Sequence, residues 1–259
     1  MIRSLLTKII KKKNPAFKLD ESIPIGLLIH LVFQKAIAYF RSFRLLLFGH
    51  WPTKIFLGKG VSFFYGRNIR WGQWIQLEDG VHLNALGRHP IILKNNIRIG
   101  AYSRLITSTT FSEPGAFICI GNNVGIGEFA YLGGAGGLTI GDDCIIGQYF
   151  SCHPENHRFS DLNELIRLQG HTREGIHIGA NCWIGSKVTI LDGVNIGSDS
   201  VIAAGAVVTK DMPSHSVIAG VPARVIRSIK PMAVEEGSGE GADITPMYHK
   251  IKQTVKQAN

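Results

Sequence analysis

The sequence predicts an all-β fold, a prism of stacked triangular coils. Apolar residues recur at every sixth position over long stretches, a period that neither an α-helix nor a simple strand has. The chain contains 30 glycines among 259 residues, more than the usual share of about 7%. Small residues often follow the repeating apolar ones, as expected for short flat strands joined by tight corners. Interruptions of the repeat all fall at one point of its cycle, which predicts that the extra loops leave the prism at one corner.

Three six-residue repeats make one coil of the predicted prism, and about six complete coils can be counted. Leu57 and Phe63 begin an incomplete coil before them. Within every complete coil the spacing of the inward-pointing residues is six. These residues are Trp71, Leu77, Leu83, Leu93, Ile99, Leu105, Ile120, Ile126, Leu132, Ile140, Ile146, Cys152, Ile178, Ile184, Ile190, Ile196, Ile202 and Val208.

The connections between coils vary in length, whereas the coils do not. Insertions follow Leu83, Leu105, Leu132 and Cys152, and none separates the last two coils. The longest insertion belongs to the stretch SCHPENHRFSDLNELIRLQGHTREG, residues 151–175, which holds three of the ten histidines. Because loops on a rigid scaffold often carry function, this stretch is the predicted location of the functional site.

The chain divides by pattern into three parts. Residues 1–54 form a helical region, residues 55–230 the repeat, and residues 231–259 a linker and tail. Within the tail, EEGSGEGAD is typical of a flexible acidic linker.

The helical region contains an apolar stretch, IPIGLLIHLVFQKAIAYFRSFRLLLF, with a thin polar stripe at His30, Gln34 and Arg41. The uncharged run is too short to predict a transmembrane helix. Two interpretations stay open: a helix lying on an anionic membrane surface at the cytoplasmic face, and a helix packed on the prism or on a neighbouring subunit.

Charge and cysteine content narrow the class of protein. The formal charge of +9 indicates anionic partners, namely nucleic acid, a membrane surface or a phosphorylated small molecule. Nucleic acid is not expected, since the basic residues are scattered and no nucleic-acid motif is present. No cleavable signal peptide is expected from the N-terminal pattern, and none of the four cysteines forms a CxxC pair. The sequence therefore predicts a cytoplasmic protein with reduced thiols and no metal.

Two motifs near the end of the repeat are IGANCWIGSKVTILDGVNIGSDSVIAAGAVVTKDMP and VIAGVPARVI. With the repeat, they resemble the hexapeptide-repeat acyltransferases, especially the sugar and surface-polysaccharide O-acetyltransferases such as the galactoside and maltose enzymes. The resemblance covers roughly residues 55–230. It implies a left-handed parallel β-helix, a homotrimer with sites between subunits, and transfer of acetyl from acetyl-CoA to a hydroxyl of a sugar or polysaccharide precursor.

The resemblance also implies a histidine general base in the loop after one coil, a task that suits a side chain whose pKa lies near neutral pH. Two histidines fit. The dipeptide His-Pro favours His153. The separation of 17 residues from Ile140 and the tetrapeptide motif NHRF favour His157. His157 is the preferred base, and His153 is then a helper or a substrate contact.

A base needs an orienting partner, for which Glu155 and Glu128 are candidates. Some resembled enzymes carry an asparagine on the preceding coil, where this chain has Gly127 or Glu128. Glu155 is also a candidate substrate contact, as is Trp183, which could equally cover a hydrophobic corner.

By resemblance, CoA binds along backbone groups at small residues, and cations meet its phosphates. Against this, the small residues could simply form coil corners and the cations could be solvated. The matching positions are Gly185, Ser186, Ala204, Gly205, Thr209, Lys210 and Arg224.

Three other functions remain open at this stage. One is acetylation of an antibiotic or other small alcohol on the same repeat. The second is a zinc-dependent carbonic anhydrase on a β-helix, for which zinc needs three protein ligands and only His153 and His157 stand out. The third is a scaffold without catalysis.

Overall fold

The computed structural model describes residues 2–11 and 17–229. The predicted tail over 231–259, with its acidic linker, lies outside the described residues. Two helices precede the strands: α1, Ile2–Lys11, and α2, Ile25–Ser42, which continues into a 3₁₀ turn, Phe43–Phe48.

Three sheets of very short, mostly parallel strands form the faces of a prism. Face A consists of Ile55–Leu57, Ile75–Leu77, Arg98–Ile99, Gly125–Ile126, Ile145–Ile146, Trp183–Ile184, Val201–Ile202 and Ser216–Gly220, with Ala223–Ser228 added antiparallel. Face B consists of Ser62–Phe64, His82–Asn84, Arg104–Ile106, Tyr131–Gly133, Ser151–His153, Thr189–Leu191 and Val207–Val208. Face C consists of Ile69–Trp71, Ile91–Leu93, Ile118–Ile120, Leu138–Ile140, Ile176–Ile178 and Asn195–Ile196.

The core is a set of apolar columns running along the prism. Neighbouring strands pair in register, so that Ile126 lies beside Ile146 and Ile146 beside Ile184. The predicted inward-pointing residues of the six coils are buried, except Trp71, which is partly buried and packs against the core. The prediction of an all-β prism of about six coils is confirmed.

The corners explain why small residues follow the inward-pointing ones. At the corner from face A to face B, a Cβ on Gly127 would lie 2.6 Å from the backbone nitrogen of Gln148 in the next coil. One on Gly185 would lie 2.5 Å from the backbone nitrogen of Ala204. Contacts this short are not tolerated, so stacking of the coils alone requires glycine at these positions.

All four predicted insertions lie between a strand of face B and the next strand of face C. The longest contains a two-stranded antiparallel ribbon, Asn156–His157 with His171–Thr172, and a 3₁₀ turn, Ile166–Leu168. The insertions therefore share one edge of the prism, as the sequence predicts.

Helix α2 packs on the first coils of face A. The Nζ of Lys35 donates a hydrogen bond to Oε1 of Gln76 at 2.6 Å, and the rings of Tyr39 and Phe56 lie 6.0 Å apart. Within the described residues, no helix is both long enough and apolar enough to cross a membrane.

Candidate active site

A cavity of about 440 Å³ opens at the corner where the insertions leave the prism. Three insertions and the ends of three neighbouring strands of face B form its walls. Its lining combines hydroxyl, imidazole and charged groups: Ile106, Thr107, Ser108, Thr109, Thr110, Tyr131, Gly133, Ala135, His153, Pro154, Glu155, His157, His171 and Arg173.

His153 ends a strand of face B, where the coil stops and the long insertion begins. Its imidazole stacks on the ring of Tyr131, with centroids 5.3 Å apart and planes 18° from parallel. Partial burial lowers the pKa of His153 below its usual 6.5, because removal from water disfavours the imidazolium. The protonated form of His153 is therefore disfavoured relative to that of a fully solvated histidine.

His157 lies in the first strand of the ribbon, directly opposite His171 in the second. The two rings meet edge to face, with centroids 6.2 Å apart. His157 is exposed and lines the cavity. The ribbon fixes the backbone on which this histidine is carried.

A cluster of opposite charges holds the two insertions together. Arg173 donates from Nε to Oε2 of Glu155 at 2.7 Å, and its guanidinium also lies 3.6 Å from the carboxylate of Glu113. His171 contacts Glu113 through Nε2 and lies 3.8 Å from Glu155. Glu155, predicted as an orienting partner or substrate contact, is thus engaged mainly by Arg173.

Sequence reasoning did not find Glu113 or the hydroxyl-bearing run Thr107–Thr110. The hydroxyl of Ser108 is part of the internal bonding of its loop, since it donates to the carbonyl oxygens of Thr110 and Glu113. The available signal was the insertion after Leu105, which leaves the prism at the same corner as the histidine-bearing stretch.

The structure brings together three of the predicted site residues, His153, Glu155 and His157. The predicted CoA positions lie elsewhere on the same chain. Four of them, Gly185, Ser186, Ala204 and Gly205, are at or beside the corner from face A to face B, while Thr209 and Lys210 follow the last strand of face B. Arg224 lies on the antiparallel strand at the end of face A.

Those positions are accessible enough to meet a ligand. A Cβ on Gly205 would have no neighbouring atom within 4 Å, and the side chains of Lys210 and Arg224 are exposed. Ser186 donates its hydroxyl to Oε1 of Gln148 at 2.8 Å. Open backbone beside exposed cations fits a long phosphate-bearing molecule.

Two further predicted positions lie on or beside face A. Trp183 is half-exposed on the outer surface of that face, beside Ile145, and does not line the cavity. Gly127 lies at a corner that has no room for the side chain of an asparagine.

The lowered pKa of His153 predicts a titration midpoint below 6.5 in the folded protein. The unfolded chain binds this proton near pH 6.5, so His153 contributes stability that is present above that pH and lost as the pH falls. Histidine NMR titration of the wild type and of Tyr131→Ala measures this. Tyr131→Ala removes the stacked ring and is expected to move the midpoint back toward 6.5; equal midpoints in both proteins would contradict the burial argument.

All four cysteines are free thiols, and three of them are buried. Across residues 2–11 and 17–229, no group of three or more histidine, cysteine, aspartate or glutamate side chains is arranged to hold a metal ion.

The family described as bacterial transferase hexapeptide (six repeats) matches residues 175–210. Galactoside O-acetyltransferase of Escherichia coli is 39% identical over 127 residues, which are 45% of this chain and 60% of that protein. A Staphylococcus aureus protein with an acetyltransferase name is 44% identical over 123 residues, 46% of this chain and 58% of that one. The chain thus spans about three fifths of the length of the curated relatives it matches.

Among solved structures, a hexapeptide-repeat acetyltransferase of Vibrio cholerae complexed with acetyl-CoA is 29% identical, with a TM-score of 0.46, over 54% of this chain and 71% of that one. A galactoside acetyltransferase in complex with coenzyme A is 25% identical, with a TM-score of 0.42, over 85% and 90%. The prism is a parallel β-helix of hexapeptide repeats, and the chain resembles the hexapeptide-repeat acetyltransferases.

Proposed function

We propose that the protein is an acetyl-CoA-dependent O-acetyltransferase that acts on a hydroxyl of a sugar or surface-polysaccharide precursor. The observation that carries the proposal is the cavity at the insertion corner, into which His153 and His157 both open. The 39% identity to galactoside O-acetyltransferase supports a sugar hydroxyl as the acceptor.

Acetyl-CoA supplies the acetyl group as a reactive thioester. In the proposed mechanism, His157 accepts the proton of the acceptor hydroxyl while that oxygen bonds to the acetyl carbonyl carbon. The bond from that carbon to sulfur breaks, and His157 returns the proton to the departing thiolate. The base is thereby neutral again, and the products are an acetyl ester and free CoA.

His153 and the charge cluster prepare the cavity for that step. Partial burial lowers the pKa of His153 and so disfavours its positive charge beside the base, which suits His153 to bind a sugar hydroxyl. The cluster around Arg173 ties the insertion after Leu105 to the ribbon that carries His157. The hydroxyl groups of Thr109 and Thr110, on the exposed rim, suit an acceptor rich in hydroxyl groups.

The proposed assembly is a homotrimer with a site between neighbouring subunits. In one chain the histidines lie at the corner from face B to face C, whereas Gly185 and Ala204 lie by the corner from face A to face B. Two different edges of a prism meet when copies pack side by side, which supports a donor groove from one subunit and a base from the next. We place this activity in the cytoplasm, where acetyl-CoA is available.

Loss of one phosphate-binding cation should weaken donor binding without slowing chemistry. Lys210→Ala and Arg224→Ala are each expected to raise the KM for acetyl-CoA roughly tenfold with kcat unchanged, since a hydrogen bond to a charged group contributes about 1.5–3 kcal/mol. Arg227→Ala, an exposed arginine on the strand of Arg224, is the matched control. Equal KM values in all three variants would show that Lys210 and Arg224 do not contact acetyl-CoA.

Thiol release from acetyl-CoA tests the function itself. The wild type is assayed with a panel of mono- and disaccharides and polysaccharide fragments, with simple alcohols and aminoglycosides as non-glycan comparisons, and the product is identified by mass spectrometry. Acceptor-dependent thiol release with an O-acetylated sugar supports the proposal. Release with no sugar, combined with turnover of a non-glycan alcohol, contradicts the acceptor class.

A further inference from the structure

Helix α2 leaves a continuous apolar stripe uncovered on the side away from the prism. Its contact side includes Leu28 and Ser42, which are buried. We call this the outer stripe, and each of its residues is at least 45% exposed. The steps between successive residues, namely four, three, one and seven, place all of them on one face of the helix. It consists of Ile25, Ile29, Val32, Phe33 and Phe40.

The polar stripe of the same helix runs along one flank of the outer stripe. His30 and Gln34 share a hydrogen bond of 2.9 Å, and Arg41 lies two further turns along. The helix therefore has three sides: one against the prism, one apolar and exposed, and one polar. An isolated amphipathic helix of this kind lies in a membrane interface with its apolar side down.

The charge of the chain is concentrated in the same segment. Residues 1–50 contain nine lysines and arginines against Asp20 and Glu21, so that +7 of the net +9 lies in this fifth of the chain. Lys8 and Lys11 are exposed on α1. Arg3 of α1 donates to the carbonyl oxygens of Glu21 and Ile23, which keeps α1 beside the start of α2.

This charge decides between the two occupants that an apolar stripe could have. A second copy of the chain docked through α2 would bring two segments of +7 together, which is unfavourable. A bilayer with anionic lipid accepts both features, since its interior takes the apolar side chains and its surface attracts the lysines. We propose that the outer stripe of α2, together with the exposed lysines of the neighbouring helix α1, forms a docking surface for an anionic lipid bilayer.

Co-flotation with vesicles tests this surface independently of any catalytic activity. The wild type is mixed with vesicles of phosphatidylcholine alone or with 30% phosphatidylglycerol, and the bound fraction is measured at low and high salt. Binding is expected with phosphatidylglycerol and should weaken at high salt. Absence of binding to the anionic vesicles would overturn the proposal.

Two variants separate the stripe from general surface properties. Phe33→Gln/Phe40→Gln removes two exposed rings without changing charge or losing helix propensity, and binding is expected to fall at least tenfold. Leu162→Gln/Ile226→Gln makes the same kind of change at exposed positions outside α2 and should bind like the wild type. Equal binding by the two double variants would contradict the docking role of the stripe.

Two more measurements identify the alternatives. Lys8→Gln/Lys11→Gln should weaken binding to anionic vesicles, and only to those, by about fivefold per lysine. Unchanged binding would show that these lysines are not part of the docking surface.

Light scattering without lipid tests whether a second copy of the chain covers the stripe instead. If Phe33→Gln/Phe40→Gln dissociates an assembly that the wild type forms, and neither protein floats, the stripe is an interface between copies and the proposal fails. Circular dichroism melting confirms that each variant is folded.

Discussion

His157→Ala is expected to lower kcat by about 10²–10⁴-fold while binding of acetyl-CoA is retained. General-base catalysis contributes an effect of this size, because without a base the acceptor hydroxyl must lose its proton to water. The truncated side chain is exposed and lies on the cavity side of the ribbon, so the fold should not change. Steady-state thiol release and calorimetric titration with CoA measure the two quantities separately.

His153→Ala is the matched comparison, because it removes the other imidazole of the same cavity. If His157 is the base and His153 contacts the acceptor, His153→Ala should mainly raise the KM for the sugar. A kcat near zero in His153→Ala combined with near-normal kcat in His157→Ala would reverse the assignment. Wild-type activity in both variants would exclude histidine base catalysis in this cavity.

Gly127→Val is expected to destabilise the stacking of the coils strongly. Its Cβ would lie 2.6 Å from the backbone nitrogen of Gln148, and a backbone atom of the next coil cannot move aside as a flexible side chain can. Overpacking of this kind costs about 3 kcal/mol. For a domain of this size, the loss corresponds to a fall in Tm of roughly 6–12 °C.

Gly125→Val is the control, two residues earlier in the same coil. A Cβ at Gly125 meets nothing within 4 Å, and valine favours strands. Its Tm should equal or slightly exceed that of the wild type in differential scanning calorimetry. A similar loss in both variants would show that stacking of the coils does not depend on close backbone approach at Gly127.

The register of the prism could be predicted from sequence because the six-residue period states it directly. Ile126, Ile146 and Ile184 each fall on the same face one coil after the other. Their buried column could therefore be predicted without knowing which distant parts of the chain are in contact. The place of the insertions followed from the same count. The six-residue repeat assigns each of its residues to a place on one face of the prism, whereas residues in the insertions are not placed by the repeat.

The site itself was harder to predict for that reason. Glu113 meets His171 and Arg173 across some sixty residues of chain, and nothing in the local sequence of either loop encodes that contact. The choice between His153 and His157 is also not decided by the cavity, because both line it. The two histidines differ in their surroundings: the ring of His153 stacks on Tyr131, whereas His157 lies on an exposed ribbon. Only the three-dimensional structure shows this difference.

Small residues show a different limit of sequence reasoning. Gly185 matches a CoA-binding position by resemblance, yet the approach of Ala204 at the corner requires glycine there whether or not a ligand binds. The two roles are compatible, and the same residue pattern predicts both. Only donor kinetics, and not the presence of the glycine, can separate them.

Each coil of the prism touches mainly the coil before it and the coil after it, as a stack of plates does. Opening should therefore begin at the ends and proceed inward, with protection from hydrogen exchange graded along the axis. The cavity draws its walls from the second to the fourth of six coils. Fraying of either end leaves this middle section intact, so the positions of His153 and His157 can stay fixed while the end coils open and close.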